Sequence, residues 1–78
     1  MICDNCGKKR ARVRRVTRSY GRGRSAFLVE GIPMVTCPDC GESYFTAETL
    51  QELERIRLHW RELARDRKFP VAKFRGAA

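Results

Sequence analysis

Two copies of one short pattern, Cys3-Asp4-Asn5-Cys6-Gly7 and Cys37-Pro38-Asp39-Cys40-Gly41, constrain this chain more than anything else in it. Two residues between paired cysteines let both sulfurs of a tight turn point inward, and the glycine that follows takes up left-handed backbone at no steric cost. Two such knuckles, with 30 residues between them, make a tetrahedral cage of four thiolates. Zinc suits that cage, because it accepts four sulfurs at about 2.3 Å and brings no redox chemistry. The expected cofactor is one structural Zn2+ per chain, held by Cys3, Cys6, Cys37 and Cys40. Catalytic zinc keeps one position open for water, and four thiolates leave none. A disulfide framework needs an oxidising compartment, and no signal-peptide pattern precedes Cys3. Thioredoxin-like chemistry needs one reactive pair in a βαβ setting, which the sequence does not offer.

A chain of 78 residues is one small domain, below the size at which a hydrophobic core alone supplies more than a few kcal/mol. A metal staple explains how it folds: structural zinc is worth on the order of 10 kcal/mol of apparent binding energy, most of it expressed as folding energy. Removing the metal is expected to unfold the chain. No stretch approaches the roughly 18 consecutive apolar residues of a membrane span, and the chain opens directly on a knuckle. The expected location is the cytoplasm, with no membrane partner.

The formal net charge of +8 hides a blocked distribution. From Lys8 to Arg24 there are nine basic residues and no acid; from Ser25 to Glu54, six acids and no base; from Arg55 onward, eight bases against Glu62 and Asp66. Four thiolates on one divalent cation bring the metal-loaded chain nearer +6. Lys8, Lys9 and Arg10 lie where they can offset the anionic cage.

Between the knuckles, Ala11 to Tyr20 carries Val13, Val16, Thr17 and Tyr20 among arginines, which suits an exposed, twisted β-strand with an arginine-rich outer face. Gly21-Arg22-Gly23 is a turn signal, and Ser25 to Glu30 reads as the returning strand of a hairpin. Gly31 and Pro33 are expected to break that strand, leaving Met34-Val35-Thr36 as a third short strand leading into the second knuckle. The predicted fold class is small α+β: a zinc ribbon, with two knuckles at one end of a three-stranded antiparallel sheet, followed by one long C-terminal helix.

That helix is expected from about Ala47 to about Arg67. Thr46 is placed to cap it, and Glu48 stands in the first turn, where the helix dipole favours negative charge. Leu53, Ile56, Trp60 and Leu63 recur at intervals of three and four, with Leu50 and Ala64 beside them, and form one apolar stripe; Arg57, Arg61 and Arg65 occupy the opposite face. A small ribbon has little sheet to cover about six turns of helix. Such a stripe packs most often on its own domain's sheet; in the alternative reading the half carrying Trp60 and Leu63 lacks an intramolecular cover and offers anchors for a partner. Pro70 stops the helix. The predicted organisation is a zinc-ribbon domain with its helix over residues 1–67 and a basic, aromatic tail over 68–78, whose Phe69 and Phe74 join Leu53, Ile56, Trp60 and Leu63 as candidate partner contacts. A small protein partner or a second copy of the chain fits such a surface.

No nucleophile with a base, no phosphate-cradling glycine loop and no carboxylate pair is visible. His59, the one histidine, is far in sequence from both knuckles and has no Cys or carboxylate constellation around it. The chain reads as a binding protein rather than an enzyme.

The order Cys-x-x-Cys-Gly, a basic strand, a Gly-bearing turn, the segment from Leu28 to Tyr44 with Val29-Glu30-Gly31-Ile32-Pro33 ahead of Cys37-Pro38-Asp39-Cys40-Gly41, and then a helix resembles the YgiT-type zinc-finger family. The resemblance covers about Met1 to Leu63. That family includes the N-terminal zinc domain of MqsA-type antitoxins from bacterial type II toxin–antitoxin modules. The resemblance implies that Cys3, Cys6, Cys37 and Cys40 hold structural zinc and that the domain grips a small cognate toxin. Longer members add a helix-turn-helix domain that binds operator DNA; the sequence shows none, so that activity is not carried over. Antitoxins of basic ribonucleases are often acidic, and here only Glu30 to Glu54 offers such a surface.

Two other classes compete. A nucleic-acid-binding ribbon would use Arg12, Arg14, Arg15, Arg18, Arg22 and Arg24 along phosphates, with Tyr20 and Phe27 to stack on bases. A rubredoxin-like electron carrier would hold iron in the same four thiolates. The long basic helix and sparse aromatic core argue against it.

Overall fold

The structure, a computed structural model, describes residues 1–76. Alternating arginine and β-branched residues form β1 (Arg12–Tyr20), a short 3-10 turn follows at Gly23–Ser25, and the chain returns as β2 (Phe27–Thr36). After the second knuckle come a two-residue β3 (Ser43–Tyr44) and the helix α1 (Ala47–Leu63). The sheet is antiparallel in the order β1-β2-β3, with β3 meeting β2 only at Val35 and Thr36. The molecule is therefore small α+β, a three-stranded antiparallel sheet followed by one helix, with four clustered cysteines at the base of the sheet.

The strands themselves differ from expectation. Gly31 and Pro33 do not end the returning strand; β2 runs unbroken through both to Thr36. Opposite Thr17 of β1 stand two residues of β2, Glu30 and Gly31, because the register slips by one between the Val16–Ile32 and Arg18–Val29 pairs. Gly31 takes φ +71°, a conformation that side chains rarely adopt. The extra residue lets Val29 and Ile32, three apart, both be buried, which a regular strand with period two does not allow. Pro33 is tolerated because at that position one edge of β2 carries no strand. The third strand is Ser43–Tyr44 beyond the knuckle, not Met34–Thr36.

Thr46 caps α1 as its position suggests, its hydroxyl accepting from the Thr49 amide at 3.3 Å. The helix ends at Leu63 rather than near Arg67. Beyond Ala64 no apolar residue recurs until Phe69, so further turns would have nothing to pack. Arg67 instead reaches back to Glu30 on β2 at 2.7 Å. Within the helix, His59 departs from helical geometry (φ −123°, ψ 21°), one residue before Trp60. The indole lies flat on Phe27, with ring centroids 5.0 Å apart and planes 7° apart, and Phe27 stacks in turn on Tyr20 at 5.5 Å.

Burial is concentrated at the knuckles. Cys3, Ala11, Val35 and Cys37 form the core cluster, with Cys40 and Tyr44 packed against it. Only Thr49 is buried on the helix. The Cα radius of gyration, 16.1 Å, exceeds the ~11.5 Å of a compact chain this long, consistent with a tail that is exposed from Arg65 to Gly76.

Candidate metal centre

The two knuckles close by the same bonds. In the first, the Cys3 amide donates to the Lys8 carbonyl at 2.8 Å and the Gly7 amide to the Cys3 carbonyl at 2.9 Å; in the second, Cys37 donates to Glu42 at 3.0 Å and Gly41 to Cys37 at 2.9 Å. Gly7 and Gly41 adopt φ +78° and +75°, the left-handed turn that the repeated Cys-x-x-Cys-Gly requires. β1 and β2 carry these turns to one end of the sheet: Arg12, the first residue of β1 after the first knuckle, pairs with Thr36, directly before the second.

All four sulfurs converge there and lie within 4.8 Å of one another. Cys3 Sγ is 3.7 Å from Cys40 Sγ, and Cys6 Sγ is 3.6 Å from Cys37 Sγ. A tetrahedron with metal–sulfur bonds of about 2.3 Å has edges of about 3.8 Å, so the cluster already has the dimensions of a four-coordinate thiolate site. The four cysteines are free thiols that can hold a metal ion. Cys3 and Cys37 are buried, whereas Cys6 is exposed and Cys40 half-buried, so one sulfur of each knuckle faces inward.

Surrounding groups tune the sulfurs unequally. The Asn5 side chain, followed by the Glu42 backbone, hydrogen-bonds Cys40 and brings its thiol down to about 7. At Cys6 the Lys8 backbone bond pulls downward, but burial and hydrogen bonds with Cys37, Cys40 and Cys3 outweigh it and push the thiol up to about 12. A cation entering the cage would displace the protons of the thiols that bind it. The Asn5 amide also donates to Cys3 Sγ at 3.4 Å.

Three contacts around the cage were not visible in the sequence. The Asp4 amide donates to the Tyr44 hydroxyl at 2.9 Å, which ties the first knuckle to β3. Arg10 bridges to Asp39 at 3.3 Å, joining the loops of the two knuckles. The Met1 amino group donates to the Ala11 carbonyl at 3.0 Å. The signal for Tyr44 was an aromatic residue four positions beyond Cys40; its partner across the cage was not encoded locally.

The other candidate residues are placed as follows. Leu53, Ile56 and Trp60 are half-buried against the sheet, whereas Leu63, Phe69 and Phe74 are exposed. Trp60 thus has an intramolecular cover, supplied by Phe27, contrary to the reading that left it open to a partner. Leu50, expected on the stripe, points outward at 53% exposure, and the buried position there is Thr49. Arg12, Arg14, Arg15, Arg18, Arg22 and Arg24 are all exposed. Arg15 donates to the Gly31 carbonyl at 3.0 Å, and the Arg18 guanidinium lies 5.6 Å from the centre of the Phe45 ring. Of the tail, Ala77 and Ala78 lie outside the described residues.

No family model, curated protein or solved structure matches the chain. No helix among the described residues is long and apolar enough to cross a membrane.

Proposed function

We propose that this chain is a zinc-stabilised protein-binding module of the YgiT type, an antitoxin-like protein that binds and neutralises a small toxin by stoichiometric contact in the bacterial cytoplasm, without catalysis of its own. Zinc is the metal that four thiolates in a closed shell favour when no redox role is required. Bound there, it supplies a fixed cross-link between the two knuckles, and Cys3, Cys6, Cys37 and Cys40 hold it.

The observation that carries the reading is a cleft of about 390 Å³ between β2 and α1. Val29, Ile32, Leu53 and Ile56 give it an apolar floor, and Arg15, Glu30, Glu48 and Glu52 stand around it; Glu30 and Glu52 are paired with Arg67 and Arg55, which leaves Glu48 as the carboxylate without a cation partner among the described residues. The acidic stretch and the helix stripe, separate in sequence, thus meet at one surface where a partner can bury an apolar anchor and place a cation on Glu48. The resemblance described above supplies the class of partner.

The test is purification of the tagged protein from its native cells in high salt with nuclease, followed by mass spectrometry and metal analysis. The reading expects one small basic protein in equal amount and one zinc per chain. It also expects Glu48→Lys with Glu52→Lys to weaken capture at least tenfold while the metal stays bound. Zinc-loaded protein alone, or capture indifferent to those substitutions, overturns it.

A further inference from the structure

The helix pairs two of its three arginines with carboxylates, Arg61 lying instead 4.9 Å from the centre of the Trp60 ring, whereas the hairpin pairs none. On α1, Arg55 forms a two-pronged bridge to Glu52 at 2.6 and 2.8 Å, and Arg57 does the same with Glu54. Arg67 is neutralised by Glu30, and Arg10 by Asp39. On the hairpin, Arg12, Arg14, Arg18, Arg22 and Arg24 have no carboxylate partner among the described residues, and all five are exposed. No acid occurs between Lys8 and Arg24 to supply one. Arg18 is held over the Phe45 ring, which fixes its guanidinium without cancelling its charge.

We propose that this hairpin is a nucleic-acid-binding surface that grips the phosphodiester backbone, at a site separate from the cleft between β2 and α1. Nine residues of β1 span about 30 Å, so cations from Arg12 through the Arg22–Arg24 turn are spread along a track rather than gathered into a pocket for one small anion. Guanidinium is the side chain best matched to phosphate oxygens, because its planar fork donates two parallel hydrogen bonds. An acidic protein fits less well. Protein interfaces draw most of their energy from buried aromatic or aliphatic anchors, and the one large aliphatic residue exposed on β1 is Val13. Attraction to phosphate needs no such anchor, since release of condensed counterions drives it. A second copy is disfavoured by repulsion between two arginine strands.

The proposal is tested with the full zinc-loaded chain by fluorescence anisotropy across a salt series. The probes are a 20-nucleotide single strand of mixed sequence, its duplex and an RNA hairpin, with poly-glutamate as competitor. Five phosphate contacts predict a log–log salt slope of about −4.5 for duplex and about −3.5 for single strands. The steeper slope with tighter binding identifies a duplex site; tighter binding to single strands or to the RNA hairpin identifies those forms instead, and each supports the proposal. Arg12→Gln, Arg14→Gln and Arg18→Gln together flatten the duplex slope by about 2.7. Arg55→Gln, Arg57→Gln and Arg61→Gln, an equal change of net charge on the helix, leave it within about one. Metal content and circular dichroism confirm that both variants are folded. Equal losses for the two variants, a slope near zero, or poly-glutamate competing as well as nucleic acid of the same charge overturns the proposal.

Discussion

The knuckle end and the helix of this small protein are held by different physics. At the knuckles, Cys3, Ala11, Val35 and Cys37 are at most 4% exposed, and paired backbone bonds close both turns. Along α1 the residues facing the sheet, Leu53, Ile56 and Trp60, are all half-buried, and Trp60 is covered mainly by the ring of Phe27. The comparison teaches that the cysteine cluster is the core in the usual sense, while the helix is docked on it as a satellite. Cysteine, alanine and valine are too small for their burial alone to offset the ordering of 78 residues, so a metal held by the four cysteines is expected to supply the balance.

Cys37→Ser tests this asymmetry with the largest effect. It removes one buried ligand and, with it, most of the roughly 10 kcal/mol that a structural zinc site contributes. Metal analysis with circular dichroism is expected to find an unloaded chain without sheet or helix; a folded, metal-free variant would erase the distinction between the two regions. Trp60→Ala comes next. Loss of the indole and its stack on Phe27 should cost about 2 kcal/mol, read in a denaturant titration, with amide exchange accelerated along α1 and unchanged at the knuckles. Release of the metal by this variant would show that the helix belongs to the core after all.

Smaller effects sharpen the boundary. Tyr44→Phe leaves the Asp4 amide without its acceptor and should lower stability by about 1 kcal/mol, with tighter metal retention in the wild type at a fixed chelator concentration. Glu30→Gln removes the tie between β2 and Arg67. Arg67 hydrogen-bonds Glu30 and holds its carboxyl below the usual range, so any stabilisation is present at neutral pH and lost as pH falls through that lowered value. Both side chains are more than half exposed, and solvent screening leaves the thermal midpoint of Glu30→Gln unchanged at neutral pH. A clear drop would mean that the segment after α1 is part of the folded unit.

What could be read from the sequence follows the same division. The paired Cys-x-x-Cys-Gly pattern placed the four-sulfur site and the hairpin joining its halves, because a metal ligand's role is carried by residue type and spacing. Thr46 gave the start of the helix through its capping hydroxyl. Nonlocal features were hidden. Gly31 and Pro33 resemble a strand break in isolation; in the fold Gly31 joins a bulge that lets Val29 and Ile32 both be buried, and Pro33 stays in register opposite Arg15. The end of α1 carries no capping glycine, and Pro70 lies several residues beyond it; the helix stops where the sheet no longer offers a surface to pack on. Phe27 as the cover for Trp60 depended on how far the hairpin reaches, which no local pattern encodes.

The most direct test of the metal-centred core is titration of the zinc-loaded chain with a strong chelator, following metal release and far-ultraviolet circular dichroism together. The account predicts that sheet and helix signals collapse in one step as the single zinc leaves, and return when zinc is restored. A chain that surrenders its metal and keeps its secondary structure would contradict it.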